Sequence, residues 1–386
     1  MFKFNENLRR KIQIIGIASF VGIAALLPTI SAVAQSIATT GNLPSPQRNA
    51  VSVLLRSNAV LVVGGIGPSS RLNSIAMYDP SSGSFSNVAN MDAPYDTATL
   101  LDDGSVLLAG GGNFVSTGSG VDVLTTAQLY DPTTGSLSNT GPTLQGVISP
   151  TTVRLADGRV LLAGGKIYNQ GGAPTAAAEL YDPSSGTFSF AGLMTTPRYN
   201  HTATLLQDGY VLIAGGSASA VTGNPLASAE LYDPVSKTFS SINDMNTAHA
   251  DHTATLLADG HVLITGGSNR PNTARNSVTS IAEIYDPATR AFALTGPMQA
   301  PREFHQAVLL NNGEVLVAGG DDTLHVLAST ELYDPTSGTF ATGPMMSVPR
   351  SNFVATPLGN GDVLLAGGLM GFTEGANTPT AELYIP

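Results

Sequence analysis

Short apolar runs that end in a Gly-Gly pair occur seven times along the chain. Each run is continuous rather than alternating, which is typical of a strand that is buried on both faces. The pairs begin 46 to 54 residues apart, at Gly64, Gly110, Gly164, Gly215, Gly266, Gly319 and Gly367. A tyrosine follows every pair, at Tyr78, Tyr130, Tyr181, Tyr232, Tyr285, Tyr333 and Tyr384. This period of about fifty residues indicates a repeat protein in which each copy is one small structural unit.

Residues 197–245 show what one copy contains. Its short Thr-rich or apolar segments predict four strands, at 201–206, 210–214, 227–232 and 238–241. Asp208-Gly209 is a tight hairpin turn between the first two, and Asp233-Pro234 starts the turn after the third. Four short antiparallel strands per copy, without helical periodicity, predict an all-β, seven-bladed β-propeller of four-stranded blades.

The repeat resembles the kelch family. The resemblance is carried by the Gly-Gly pair, by the Tyr that follows it, and by an apolar residue seven positions after that Tyr, as in Tyr232 and Phe239. The usual kelch Trp is absent from this last position, which holds Phe85, Leu137, Phe188, Phe239, Phe292 and Phe340. The resemblance covers the chain after residue 34 and implies a propeller similar to that of galactose oxidase.

The N-terminal segment has the features of an export signal. Four basic residues within the first eleven precede an uncharged run at 12–27, which is shorter than the roughly 20 residues of a membrane span. Ala32-Val33-Ala34 then offers a small-x-small cleavage pattern. We predict a Sec-type signal peptide at 1–34 and the propeller at 35–386, with an uncleaved signal anchor as the alternative. The protein is therefore expected to be secreted or periplasmic, with no integral membrane segment after cleavage.

The predicted mature chain is strongly acidic. The whole sequence has 17 Lys and Arg against 28 Asp and Glu, and removing 1–34 takes away four basic residues and one acidic residue, which leaves a net charge of −14. Lys166 and Lys237 are the lysines that remain. Such a surface repels phosphate backbones, so we expect no nucleic-acid partner. The absence of Cys excludes disulfides, thiolate nucleophiles and thiolate metal ligands, and we predict no cofactor.

The seventh copy stops at Pro386, before its fourth strand. An unpaired edge would be left there. Residues 36–43 match the fourth strand of the sixth copy, and Ile37 occupies the position of Phe340. We therefore predict that 36–43 close the last blade and seal the ring.

The loops that differ most between copies are predicted to lie on one face. In an antiparallel four-stranded blade, the second-to-third loops and the blade-to-blade loops share a face, which we call the loop face. These loops vary here, since 112–125 and 166–175 are long whereas 321–328 is compact. Insertions in repeat proteins gather on the binding face, so the loop face is the predicted functional surface.

Residues repeated in most blades are explained by the architecture of the blade. We therefore exclude the recurring third-strand acids from the candidate functional residues; these acids are Glu179, Glu230, Glu283, Glu331 and Glu382. The kelch resemblance implies that the first strand of each blade lies nearest the axis. At its start the copies hold Ala50, Asp96, Pro150, His201, His252, His305 and Phe353. The candidate binding residues, on or beside these positions, are Arg198, His201, Asp251, His252, Arg302, Glu303, His305, Arg350 and Asp96.

The candidate residues allow more than one chemistry. Imidazole is a common metal ligand, but we expect the three histidines to bond to neighbouring loops and the arginines to tie loop to loop. Asp321-Asp322 lacks the spaced oxygen ligands of a calcium site. We predict no metal site, and we assign no catalytic residue.

The first functional hypothesis is a monomeric module that binds a glycan or a protein on the loop face. The second is a sugar-active enzyme of mutarotase or epimerase type, similar to kelch-type sialic acid mutarotases, with His201, His252, His305 or Glu303 as acid–base groups. The third is a structural component of the cell envelope. The resemblance to galactose oxidase does not extend to its copper radical chemistry, which needs a Cys cross-linked to a Tyr. We expect a binding module rather than an enzyme.

Overall fold

The computed structural model describes residues 35–114, 121–167, 172–221, 223–269, 277–373 and 375–386. These residues form strands, turns and loops. Nothing among them is a helix of the length and apolar character needed to cross a membrane. The predicted signal peptide at 1–34 and parts of the long loops 112–125 and 166–175 lie outside the described residues.

The described chain forms seven four-stranded antiparallel sheets, which confirms the predicted propeller. The inner strands are Val51–Leu54, Tyr95–Leu100, Thr151–Arg154, Thr202–Leu205, Thr253–Leu256, Gln306–Leu309 and Val354–Pro357. The second strands are Val60–Val63, Val106–Phe114, Val160–Ala163, Val211–Ala214, Val262–Thr265, Val315–Ala318 and Val363–Ala366. Each inner strand contacts the inner strands of both neighbouring blades, and the first contacts the last. The inner strands therefore form a closed ring around the axis.

The third and outer strands complete each blade. The third strands are Ser74–Asp79, Gln128–Asp131, Ala177–Asp182, Ala229–Asp233, Ala282–Asp286, Thr330–Asp334 and Ala381–Ile385. The outer strands are Ser84–Asn90, Ser136–Asn139, Thr187–Leu193, Thr238–Ser241, Ala291–Leu294, Thr339–Thr342 and, for blade 7, Ser36–Thr39. Three short strands extend second-to-third loops, at Val121–Val123 in blade 2 and at Lys166–Ile167 and Ala173–Pro174 in blade 3.

The hydrophobic core lies between neighbouring blades. In the cluster between blades 3 and 4, Leu161 and Leu180 of one blade pack with Val211, Ile213 and Tyr232 of the next. Every residue of the four-residue second strands is buried, and each buried Val or Leu contributes about 1.5–3 kcal/mol. The third-strand tyrosines pack against the apolar residue of the outer strand, as Tyr232 does against Phe239 with ring centroids 4.7 Å apart. Phe therefore does the packing that the missing Trp would do.

The Gly-Gly pairs connect each blade to the next. Gly215 and Gly216 have φ values of 61° and 88°, a region that residues with a side chain rarely adopt. Gly216 N donates to the carbonyl O of His249 at 2.8 Å, in the loop that leads into blade 5. A Cβ on Gly216 would lie 2.6 Å from the carbonyl O of Tyr199. The equivalent backbone bonds to the next blade are made by Gly111, Gly165, Gly267, Gly320 and Gly368.

The N-terminal strand closes the ring as predicted. Ser36–Thr39 pairs with Ala381–Ile385, and Ile37 stands opposite Tyr384. Leu43 N then donates to Pro379 O at 2.7 Å, and the Leu43 side chain is buried in the core between blades 7 and 1. Main-chain bonds and apolar packing together make residues 36–43 the latch of the propeller.

Deleting residues 35–44 should lower the melting temperature and promote association. The deletion removes about four backbone bonds worth roughly 3 kcal/mol, and it bares the edge of the last third strand. Thermal denaturation and size-exclusion chromatography measure the two effects. The milder variant Ile37→Asp should also destabilise, because Ile37 packs on the core, whereas the matched control Ala38→Asp places its charge in solvent. Equal melting curves for the wild type and Ile37→Asp would contradict a latch.

Candidate functional site

Six residues just before the inner strands adopt a left-handed backbone conformation. Their φ values lie between 52° and 56°, and they are Asn49, Ser149, Asn200, Asp251, Phe304 and Asn352. Asn and Asp tolerate this conformation better than most residues. Strained backbone of this kind costs about 1 kcal/mol or more per residue and clusters at functional sites. We call these six residues the collar.

Backbone hydrogen bonds link the collar from blade to blade. Asn352 N donates to Phe304 O at 3.1 Å, Phe304 N to Asp251 O at 3.2 Å, and Asp251 N to Asn200 O at 3.3 Å. Asn49 N donates to Asn352 O at 2.9 Å across the closing junction. The side chains continue the pattern, since Asn200 Nδ2 donates to Asp251 Oδ1. These bonds offset the strain of the left-handed conformation.

The collar surrounds the opening of a cavity on the axis of the ring. The cavity has a volume of about 710 Å³, and we call it the mouth. Its wall includes all six collar residues together with Arg71, Asp96 and Lys166. Thr151 and His201 line both the mouth and a second cavity of about 510 Å³ between the inner strands. Second-to-third loops and blade-to-blade loops supply the wall, so the mouth lies on the loop face.

The three candidate histidines join neighbouring blades. His201 Nε2 lies 2.8 Å from Oγ1 of Thr151 on the preceding blade. The equivalent pairs are His252 with Thr202 at 3.1 Å and His305 with Thr253 at 3.0 Å. Burial lowers the pKa of His201 and of His305 to about 3, so both rings are neutral at pH 7. Among the described residues, no group of three or more His, Asp or Glu side chains is placed to hold a metal ion.

The three candidate arginines lie inside the blades and do not face the mouth. Arg198 is fully buried, and its guanidinium donates to Glu230 Oε1 at 2.6 Å and to Gly215 O at 2.8 Å. The corresponding pairs in blades 6 and 7 are Arg302 with Glu331 and Arg350 with Glu382. The same glutamates accept backbone N–H groups, as Glu230 does from Thr195. These ion pairs support the loops that carry the collar.

The candidate carboxyl groups Asp251 and Glu303 meet near a third one, Asp321. Burial raises the pKa of Asp251 to about 7, with Lys166 opposing and Asp321 adding to the shift. Burial, together with the charges of Asp251 and Asp321, raises the pKa of Glu303 to about 8. Asp321 accepts a hydrogen bond from Ser351 Oγ at 2.6 Å, and burial raises its pKa as well. Asp251 and Glu303 can therefore hold and release protons near neutral pH.

The candidate Asp96 lies on the opposite side of the mouth. Its carboxylate forms an ion pair with Arg71 and accepts a hydrogen bond from Ser149 N at 2.9 Å. Asp96 therefore holds a collar residue of blade 3 while remaining in the cavity wall. Of the nine candidates, the mouth brings together Asp96, His201 and Asp251 in its wall.

Sequence reasoning missed Lys166 and the collar amides. Lys166 lies half-buried in the wall, with its ammonium nitrogen 3.8 Å from the centre of the Tyr199 ring. The sequence does contain one sign that Lys166 could be functional, because it is one of two lysines after residue 34 and lies in a variable loop. For the collar, the signal was the run of Asn, Ser and Asp residues directly before the inner-strand position.

Comparison with known proteins agrees with this geometry. The Kelch motif model matches residues 48–92 and 197–246, which span blades 1 and 4. Two blades of this seven-bladed β-propeller therefore match the Kelch motif. No curated protein gives a significant sequence match to the chain. A solved structure described as a novel fungal alcohol oxidase of the AA5 family, in complex with copper, is similar to the propeller with a TM-score of 0.71 and 19% identity, over 91% of this chain and 75% of the other.

The similarity to the fungal oxidase concerns the fold. The chain has no Cys, and its described His, Asp and Glu side chains do not form a group suited to a metal. The residues present therefore do not fit a copper centre of the kind that the galactose oxidase resemblance would supply.

Replacing one member of a buried ion pair should destabilise the propeller strongly. Arg302→Met leaves Glu331 buried without a cation, which we expect to lower the free energy of unfolding by about 3–5 kcal/mol. Adding Glu331→Gln should recover part of this loss, because the unpaired charge is removed while an acceptor remains. Arg154→Met, which breaks the exposed pair with Asp102, should cost less than about 1 kcal/mol. Urea denaturation of the four proteins tests this, and equal losses for Arg302→Met and Arg154→Met would contradict the assignment.

Proposed function

We propose that this kelch propeller is a non-catalytic module that binds a glycan in the mouth. The observation that supports this most directly is the ring of collar side chains around a cavity of about 710 Å³. Ligand sites for small molecules have volumes of about 300–1,000 Å³. The amides of Asn49, Asn200 and Asn352 come from three different blades and line that cavity.

The chemistry of the wall favours a sugar over a protein segment. Each amide side chain offers both donors and an acceptor, and sugar hydroxyls also do both. Phe304 and Phe353 add aromatic rings to a wall that holds both polar and apolar side chains, and the apolar face of a pyranose packs well on such a ring. A protein ligand on the loop face is the alternative within the same class of function.

The proposal changes the roles of several candidate residues. Asp96, His201 and Asp251 line the mouth, and of these three His201 is buried and already bonded to Thr151. Arg198, Arg302 and Arg350 act indirectly, because their side chains are fully buried in ion pairs. Export through the segment 1–34, a monomeric state and the absence of a nucleic-acid partner stay predictions from the sequence.

Removing collar amides should weaken glycan binding without unfolding the protein. Asn200→Gly and Asn352→Gly keep the left-handed backbone accessible and delete the side-chain contacts. A ligand found on a glycan array should bind each variant about tenfold more weakly, the effect of losing one hydrogen bond, as measured by isothermal titration calorimetry. Asn58→Gly is the matched control, since Asn58 is also left-handed, with φ of 68°, but lies in the blade 1 hairpin turn on the other face. Unchanged affinity in both collar variants would rule out the mouth as the site.

The raised carboxyl pKa values favour one second candidate, a sugar-active enzyme of mutarotase type. An acid–base catalyst works best when its pKa lies near the working pH, and burial raises the pKa of Asp251 to about 7 and that of Glu303 to about 8. The buried neutral histidines are less suited to this role than the carboxyl groups.

The enzyme hypothesis is tested by NMR of anomer exchange. For a reducing sugar that the array identifies, an enzyme would accelerate exchange between anomers, and Asp251→Asn would abolish most of the acceleration while leaving the sugar bound. Exchange at the rate of buffer alone would reject the enzyme and leave the binding module in place.

A further inference from the structure

Lys166 presents an ammonium group in the wall of the mouth. Its ammonium lies over the Tyr199 ring at 3.8 Å. Within the described part of the chain, neither a hydrogen bond nor an ion pair involves this ammonium. An ammonium has three donors and no acceptor, so from the wall of the mouth Lys166 can donate to oxygen atoms of a bound ligand.

The backbone holds Lys166 in a defined position. Lys166 N donates to Ile148 O at 2.9 Å, and Ile148 N donates to Lys166 O at 3.0 Å. Lys166 also pairs with Pro174 across the short two-stranded ribbon of blade 3. The lysine therefore starts from a fixed point on the cavity wall beside the collar residue Ser149, and the aromatic ring stabilises its aliphatic stem and its charge.

The charges around Lys166 are arranged unequally across the mouth. On the side of blades 1 and 2, Arg71 is bonded to Asp96. On the other side Asp251 is the acid that interacts with Lys166, and it is faced by Asp321 and Glu303 as well. Because Asp251 is buried and is also repelled by Asp321, its pKa is raised and it gains a proton more readily than an ordinary Asp. The protonated Asp251 then no longer competes for the lysine.

We propose that Lys166 determines the specificity of the mouth by binding the carboxylate of an acidic sugar, such as a terminal uronic acid. This inference rests on the proposed glycan-binding function and names the class of glycan. One carboxylate matches one ammonium, and a protonated Asp251 can donate a second hydrogen bond to it. A doubly charged phosphate is disfavoured, because the nearby acids would repel it and Arg71 is already paired.

The test compares sugars that differ in a single group. Matched oligosaccharides ending in glucuronic acid or in glucose, and in galacturonic acid or in galactose, are printed on one array, and the best pair is titrated by calorimetry. The wild type should prefer the acidic member by about tenfold, the size of one charge-assisted hydrogen bond. Lys166→Met should lose the preference, and Lys166→Arg should retain part of it.

Lys237 provides the matched control. It is the other lysine after residue 34 and is exposed in the turn before an outer strand. Lys237→Met removes the same charge from the protein, so it should leave the preference unchanged. Circular dichroism and melting temperature confirm that each variant is folded before binding is compared.

The pH dependence gives a second and independent readout. Burial raises the pKa of Asp251 to about 7, whereas the carboxylate of a uronic acid, like an α-carboxyl group, titrates near pH 3.5. Lowering the pH from 8 to 6 therefore neutralises Asp251 and not the ligand, so affinity for the acidic sugar should rise about threefold or more. Asp251→Asn should show a clearly smaller rise, namely the part that comes from protonation of the neighbouring Glu303, and Asn suits the left-handed backbone there.

The possible failures are distinguishable. Equal affinity of the wild type for the acidic and neutral members, or an undiminished preference in Lys166→Met, overturns the role of Lys166 and leaves glycan binding intact. An array on which no glycan binds the wild type overturns the proposed function and this inference together.

Discussion

The propeller depends on a backbone hydrogen bond between blades that only a glycine can make in this position. The second glycine of a pair donates to a carbonyl oxygen in the loop that leads into the next blade, as Gly216 does to His249. A side chain there would collide with backbone, and the positive φ would be strained as well. Because the accepting carbonyl lies three residues before the inner-strand histidine, the bond also places the collar. The same contact therefore holds the ring together and shapes its mouth.

Buried ion pairs support the loops that carry the collar. Blade 3, which lacks the cation, shows which part of the ion pair is general. Blades 4, 6 and 7 pair Arg with Glu, and blade 5 uses His249 with Glu283 at 3.3 Å. In blade 3 the position of the cation is occupied by Val147, and burial raises the pKa of Glu179. Glu179 still accepts backbone N–H groups from Leu144 and Gln145, at 2.8 and 2.9 Å. The contact between Glu and the backbone is thus the general element, and the cation balances its charge where it is present.

The sequence predicted the fold closely because the same pattern of strands and turns occurs in seven copies. The number of blades, the strand order and the closure by Ser36–Thr39 all followed from aligning the copies, and strand ends such as those of Thr202–Leu205 differ from the predicted 201–206 by one residue. The candidate site was harder to predict. Whether Arg198 points into the blade or into the channel depends on its side-chain direction, which the repeat does not reveal. The proximity of Asp251, Glu303 and Asp321 arises from contacts between blades, and Lys166 reaches the mouth through a loop unlike its counterparts.

The latch joins two strands that lie far apart in the sequence. Ser36–Thr39 precedes the first blade and pairs with Ala381–Ile385 of the seventh, so the first six blades can form an open arc before the two strands meet. Contacts between such distant parts of a chain form slowly because loop closure is costly in entropy. A chain that lacks either strand could not close the circle, so a single pairing makes the integrity of the whole ring depend on both strands.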